Sequence, residues 1–137
     1  MDKKIQHEFK NDLAELDRLS QELDRFGKGL DLSPKCLFEI HLAVEEHFTN
    51  VVSYGYTDKK EHLIKITFSH DNKTVEICIE DEGVPFNPLE AESPDIKCSL
   101  EERSVGGLGI HLTRHCVDGI IYQREGSKNI LKLKKYI

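Results

Sequence analysis

The sequence contains no tryptophan, a single methionine and no hydrophobic run long enough to span a bilayer among its 137 residues. Its four cysteines, Cys36, Cys78, Cys98 and Cys116, stand far apart and form no Cys-x-x-Cys pair. This spacing excludes the usual zinc-binding and thiol-redox motifs. Residues 1–4 lead into polar sequence without the apolar segment that a secretory signal needs. We therefore expect a cytoplasmic protein with free thiols and no membrane segment.

Positive charge is also in the minority. Nineteen lysines and arginines stand against 25 aspartates and glutamates, which gives a formal net charge of -6. Because nucleic-acid binders usually present a basic face to the phosphates, direct nucleic-acid binding is not expected. The composition, 38% hydrophobic and 32% charged, is ordinary for a folded domain. The length predicts one domain over residues 1–137.

Two helices are predicted in the first half of the chain. Apolar residues recur at spacings of three and four over residues 13–26, and Gly27 and Gly29 are expected to end this helix. Ser33-Pro34 is a typical N-cap and first turn, and it predicts a second helix that ends near Gly55.

Alternation of apolar and polar residues predicts strands at 5–9, 64–68, 75–79, 119–124 and 129–136. Residues 82–109 contain three prolines and four glycines and show no sustained period, so we expect a long loop there, followed by helical spacing over Leu108, Leu112 and Cys116. This order predicts an α+β two-layer sandwich, with a mixed, mostly antiparallel sheet and the helices on one face.

Three local patterns carry the chemistry. Glu46 and Asn50 lie four apart on the second helix and share a face, where an amide oxygen can ligate Mg²⁺ and a carboxylate can accept a proton. Asp81 follows an apolar strand, and Gly83 permits close approach of backbone and ligand. Each pattern alone also fits an ordinary polar helix face or turn.

The third pattern is a glycine cluster at the start of the last predicted helix, where unpaired amides and the helix dipole favour a phosphate. The dinucleotide fingerprint does not apply, since these glycines do not follow the first strand of a parallel unit, and no Gly-Lys-Ser or Gly-Lys-Thr of a P-loop is present. The cluster consists of Gly106, Gly107 and Gly109.

Taken in order, these patterns resemble the N, first glycine and second glycine boxes of the ATPase superfamily of gyrase, Hsp90 chaperones, histidine kinases and mismatch-repair ATPases. Within it, the chain is most similar to the stand-alone anti-sigma-factor serine/threonine kinases, a resemblance that covers almost the whole chain. It rests on EHFTN at 46–50, GY at 55–56, DEGVPFNP at 81–88, RSVGGLGI at 103–110 and DG at 118–119.

The resemblance implies a role for each matching position. Glu46 would be the general base, Asn50 would ligate Mg²⁺ and Asp81 would bind the adenine amino group. Arg103 would approach the terminal phosphate, and residues 84–106 would form a lid over the nucleotide. Arg18 on the first helix matches a position used for partner contact. The remaining nucleotide-binding residues implied are Gly83, Gly106, Gly107, Leu108, Gly109 and Ile110.

The activity implied by the resemblance is transfer of the γ-phosphate of ATP, with Mg²⁺, to a serine or threonine of a small antagonist (anti-anti-sigma) protein. A sigma factor is the expected second partner, and a homodimer the expected assembly. The alternative is an ATP-sensing module that sequesters a partner without transferring phosphate. A histidine kinase would need a helical hairpin, and a gyrase-like or chaperone-like ATPase extra domains, for which the chain has no room.

Some positions depart from the family's pattern. Pro85 replaces a third glycine, and Tyr54 stands where histidine is common. The region in which the family places a threonine that contacts adenine through water holds Ser127 and Asn129, and the sequence leaves open which of the two replaces it.

Overall fold

The computed structural model describes residues 3–87 and 115–137. Its strands are β1 (Lys3–Lys10), β2 (Leu63–His70), β3 (Thr74–Asp81), β4 (Gly119–Glu125) and β5 (Lys128–Tyr136). They form one sheet in the order β1-β2-β3-β5-β4, and each of the four pairings is antiparallel. The predicted α+β class is confirmed, with a sheet that is antiparallel throughout these strands.

Two tight turns fix the register of the hairpins. Between β2 and β3, Asp71 Oδ1 accepts hydrogen bonds from the amides of Lys73 and Thr74, each at 2.9 Å. Between β4 and β5, Glu125 pairs with Lys128, and Gly126 has a φ of 60°. A left-handed φ at the first turn position is what a type II′ turn requires, and glycine adopts it without strain.

The two helices are α1 (Leu16–Gly29), which follows one 3₁₀ turn at Leu13–Glu15, and α2 (Pro34–Tyr54). The Ser33 hydroxyl caps α2 by accepting a hydrogen bond from the Cys36 amide at 3.1 Å, and Gly55 is the C-cap residue. Both ends of α2 are therefore as predicted.

The first helix ends at Gly29, as predicted, but the expectation that Gly27 also marks its end is wrong. Gly27 is buried inside α1, and a Cβ there would lie 2.6 Å from Cδ1 of Leu37 on α2. The glycine therefore allows the two helices to approach closely. The left-handed residue after the helix is Asp31, with a φ of 55°.

The hydrophobic core lies between the helices and one face of the sheet. Phe48 of α2 packs edge-on against Phe9 of β1, with ring centroids 6.1 Å apart, and Phe26 of α1 lies 5.4 Å from Phe68 of β2. Phe9 pairs with Ile64, four residues before Phe68, so both aromatic rings project from the same face. Both helices therefore cover this face, as predicted.

Neither α1 nor α2 has the length and apolar character that a membrane crossing would require. The third helix, predicted around Leu108, Leu112 and Cys116, falls mostly outside the described residues. The assignment of residues 1–137 to one domain therefore stays a prediction.

Two histidines on α2 have opposite environments. His47 is 6% exposed, and burial lowers its pKa from 6.5 to about 4. His41 Nε2 lies 2.8 Å from Asp24 Oδ1 on α1, and Nδ1 lies 3.4 Å from Glu45 Oε1. Hydrogen bonds to Glu45 and then Asp24 raise the pKa of His41 despite partial burial.

These environments predict opposite pH dependences of stability. Between pH 6.5 and about 4, the unfolded chain protonates His47 while the folded chain does not, so the free energy of unfolding falls as the pH falls. Between pH 7.5 and 5, the free energy of unfolding of a His47→Gln variant should fall by about 2 kcal/mol less than that of the parent protein. Urea unfolding at both pH values measures this difference.

A His41→Gln variant is the matched control. The stability that His41 contributes is fully present below its unfolded pKa and is lost as the pH rises through its raised folded pKa. This variant should therefore be more destabilised at pH 5 than at pH 7.5. Equal pH dependences for the two variants would contradict both assignments.

Candidate nucleotide-binding site

The acid and amide of α2 lie on one face near its C-terminal end. Asn50 is 1% exposed, and neither Oδ1 nor Nδ2 has a hydrogen-bond partner among the described residues. A buried amide without partners is costly, and it is retained where a ligand satisfies it. Glu46, one turn earlier, is half-buried, and this burial raises the pKa of its carboxyl group.

Asp81 lies at the end of β3 and is 4% exposed. Its Oδ1 accepts hydrogen bonds from the Gly83 amide at 2.8 Å and from Asn129 Nδ2 at 3.0 Å. The described residues form no hydrogen bond to Oδ2. Burial raises the pKa of Asp81, while these two donors and the charge of Arg124 act to lower it. Oδ1 is thus held by two hydrogen bonds within the protein, and Oδ2 remains able to accept a hydrogen bond from a ligand.

Gly83 joins this turn to the end of α2. The Val84 amide donates to the Gly55 carbonyl at 2.7 Å, and a Cβ on Gly83 would lie 2.3 Å from the same carbonyl oxygen. Gly83 therefore permits a close approach of the Gly55 backbone, and its approach to a ligand stays a prediction. It brings the helix that carries Asn50 into contact with the turn that follows Asp81.

Tyr56 adds a further polar group beside Asp81. Its ring stacks on His62 with centroids 4.2 Å apart, and its buried hydroxyl has no hydrogen-bond partner among the described residues. Burial, and next the charge of Asp81, raise the pKa of Tyr56 to about 12. The phenol is therefore neutral at physiological pH and can donate a hydrogen bond.

Asn129, and not Ser127, is the residue of β5 that reaches this site. Asn129 is 5% exposed, and its amide contacts Asp81, whereas Ser127 lies exposed in the β4–β5 turn. Asn129 also accepts hydrogen bonds from the Tyr122 hydroxyl at 2.6 Å and from Arg124 at 3.2 Å. Asn129 alternates with Ile130 along β5 and so projects from the same buried face as Leu131 and Leu133. The register of β5 against β3 then places it opposite Asp81.

Arg18 lies outside this hydrogen-bond network. Its guanidinium stands 4.2 Å from the centroid of the Phe9 ring, and Nη2 donates to Glu8 O at 2.7 Å and to Glu15 Oε2 at 2.6 Å. The side chain retains 44% exposure. Its role in partner contact stays a prediction.

The phosphate half of the predicted site lies outside the described residues, as does the lid beyond Asn87. The functions expected there remain predictions. They concern Arg103, Gly106, Gly107, Leu108, Gly109 and Ile110. The structure therefore brings together Asp81, Gly83 and the end of the helix that carries Glu46 and Asn50.

Comparison with known proteins identifies the class of ATP-binding protein that the sequence patterns resemble. The family described as the histidine kinase-like ATPase domain matches residues 9–135. A solved histidine kinase domain, from the blue-light-activated histidine kinase of Erythrobacter litoralis, superposes with a TM-score of 0.53 at 16% identity. The match covers 90% of this chain and 59% of that one, and it supports the fold alone.

Relatives by sequence include the serine/threonine-protein kinase BtrW of Bordetella bronchiseptica, which is 31% identical over 104 residues, 76% of this chain and 73% of that protein. The anti-sigma F factor of Clostridium perfringens is 28% identical over 139 residues, and the match covers 98% of each chain.

The fold and the matched family define an ATP-binding domain. The chain belongs to the histidine kinase-like ATPase family, in the group that contains the anti-sigma-factor serine/threonine kinases.

The contact at Gly83 predicts the effect of a single methyl group. In Gly83→Ala, the new Cβ would require the Gly55 carbonyl to move, since 2.3 Å is far below van der Waals contact. We expect destabilisation of about 1–3 kcal/mol in urea unfolding and weaker ATP binding.

Gly119→Ala is the control, because a Cβ there would meet only Lys134 Cβ at an ordinary 3.7 Å. If both substitutions cost the same free energy, the close contact at Gly83 is not what limits that position.

The unpartnered amide of Asn50 predicts an exchange of stability for binding. An Asn50→Leu variant removes two unsatisfied buried polar atoms at similar volume, so without nucleotide its free energy of unfolding should rise, by about 1–3 kcal/mol. The same variant should lose the stabilisation that ATP and Mg²⁺ give to the parent protein. Thermal unfolding with and without MgATP tests both parts, and a variant less stable than the parent without nucleotide would contradict the first.

Proposed function

We propose that the protein is an ATP-dependent serine/threonine kinase that phosphorylates a small antagonist protein and restrains a sigma factor by binding it. The observation that carries the proposal is the pair on α2: a half-buried carboxyl group with a raised pKa, one helical turn from a buried amide that has no hydrogen-bond partner in the described part of the chain. A module that only binds ATP and Mg²⁺ would need the amide alone. The carboxyl group adds a proton acceptor beside it, which a kinase needs for the attacking hydroxyl.

Glu46 is proposed as the general base. A carboxylate in water is a weak base, and partial burial strengthens it by raising its pKa. The serine or threonine hydroxyl of the antagonist would give its proton to Glu46 as its oxygen attacks the γ-phosphorus, and ADP would leave. Phosphoryl transfer depends mostly on placement and charge stabilisation, so one base on a rigid helix suits this reaction.

Asn50 is proposed to hold Mg²⁺. The amide oxygen is a ligand of the kind that Mg²⁺ accepts alongside phosphate oxygens, and Asn50 Oδ1 has no competing partner among the described residues. When bound, the ion offsets negative charge on the phosphates. Asp81 would accept a hydrogen bond from the adenine amino group through Oδ2, because Oδ1 is already engaged by Gly83 and Asn129.

The partners are proposed from the relatives. BtrW is named as a serine/threonine-protein kinase, and the Clostridium perfringens protein is named as an anti-sigma F factor. Both names fit a protein that exchanges a sigma factor and an antagonist according to phosphorylation. Arg18 remains the residue proposed for partner contact, with 44% of its side chain exposed.

The kinase proposal predicts that Glu46→Gln binds MgATP with nearly unchanged affinity but transfers phosphate at least a hundredfold more slowly, since general bases contribute about 10²–10⁴ to the rate. Labelled ATP, Mg²⁺ and candidate antagonist proteins from the same genome provide the assay.

The matched control is Glu45→Gln, which removes the neighbouring carboxylate, the partner of His41. Its transfer rate should stay within a few-fold of the parent rate. Tight ATP binding by the parent protein without transfer to any candidate would instead support the ATP-sensing module.

A further inference from the structure

One row of polar side chains crosses three strands at the end of the sheet that carries Asp81. Asp81 of β3 is directly opposite Asn129 of β5, and Asn129 is directly opposite Arg124 of β4. Residues directly opposite in antiparallel strands project from the same face, so the register alone aligns the three side chains. Asn129 occupies the centre of this row.

The protein itself occupies every hydrogen-bonding position of the Asn129 side chain. Nδ2 donates to Asp81 Oδ1 at 3.0 Å and to the Val84 carbonyl at 2.8 Å. Oδ1 accepts from the Tyr122 hydroxyl at 2.6 Å and from Arg124 at 3.2 Å, with the Phe86 amide at 3.4 Å. A primary amide has two N–H donors and one oxygen with two lone pairs, so no capacity remains for a ligand.

Arg124 fixes which way the Asn129 amide points. A guanidinium only donates hydrogen bonds, so the atom of Asn129 that faces it must be the oxygen. The amide nitrogen is then directed at Asp81 Oδ1. Arg124 also donates to the Gly83 carbonyl at 2.8 Å, which holds the turn after β3 in the same network.

The consequence for Asp81 is geometric. With Oδ1 engaged by Asn129 and by the Gly83 amide, the carboxylate is held in one rotamer, and Oδ2 is the oxygen to which no described residue donates a hydrogen bond. An oxygen held as an acceptor favours a ligand that presents an amino group and disfavours one that presents a carbonyl oxygen.

We propose that Asn129 is a positioning residue for base selection: held by Tyr122 and Arg124, it keeps Asp81 oriented as an acceptor and so sets the preference for a 6-aminopurine over a 6-oxopurine. The inference rests on the proposed binding of ATP at Asp81. Asn129 acts through Asp81 and does not contact the base.

The test compares ATP with ITP, in which a carbonyl oxygen replaces the amino group. Calorimetric titration of the full chain should show the parent protein binding ATP roughly a hundredfold or more tightly than ITP. Asn129→Asp is nearly isosteric and replaces the NH₂ group, with its two N–H donors, by an oxygen atom. It should reduce the ratio of ATP affinity to ITP affinity at least tenfold. Tyr122→Phe, which removes only the hydroxyl that contacts Asn129, should narrow it about threefold to tenfold.

Tyr136→Phe is the matched control, since this tyrosine is 67% exposed at the far end of β5. Its ratio should equal that of the parent. The ratio also separates positioning from folding, because partial unfolding lowers both affinities equally. If Asn129→Asp does not fold, Tyr122→Phe decides alone.

Two negative outcomes are distinguishable. Parent-like ratios in the folded variants would overturn the positioning role and leave the kinase proposal standing. Failure of the parent protein to bind ATP would overturn both. A parent protein that binds ATP but transfers no phosphate would remove the kinase proposal only, and the ratios would still decide the role of Asn129.

Discussion

The contact between two backbones, Gly83 and Gly55, is the constraint on which the site depends. It fixes the distance between the end of α2 and the end of β3, and it is closer than any side chain would permit. Asn50 lies five residues before Gly55, and Asp81 lies two residues before Gly83. Two groups that are far apart in sequence are thereby held on rigid elements, which is how binding geometry is best maintained.

Burial gives the groups around this contact their chemical character. Burial raises the pKa of both Glu46 and Asp81, and Asn50 is enclosed without a hydrogen-bond partner among the described residues. Each of these features lowers the free energy of unfolding, because polar groups are withdrawn from water without full compensation. Clusters of this kind are typical of functional sites, where stability is sacrificed for binding.

Local rules predicted the elements well. The Ser33 cap, the Gly55 end of α2 and the five alternating strands follow from short-range chemistry that the sequence displays directly. Gly27 was misassigned because its role depends on Leu37 across a helix interface, and no local pattern reports such a contact.

The same division holds in the site. Glu46, Asn50 and Asp81 could be proposed from spacing, since helix and strand periodicity determine which side chains share a face. The choice between Ser127 and Asn129 required the register of β5 against both of its neighbours. Register is a long-range property, and it is set by turns and by packing of the whole sheet.

Arg18 and Glu15 have a consequence for the outer side of β1, which lies at one edge of the described sheet. Arg18 donates a hydrogen bond to the Glu8 carbonyl, and Glu15 accepts one from the Lys10 amide. Two outward backbone groups of this strand are therefore already hydrogen-bonded. Such occupation protects a sheet edge against unwanted strand addition. Displacement of Arg18 would free the Glu8 carbonyl, so the position of this side chain controls whether the strand edge can accept another strand.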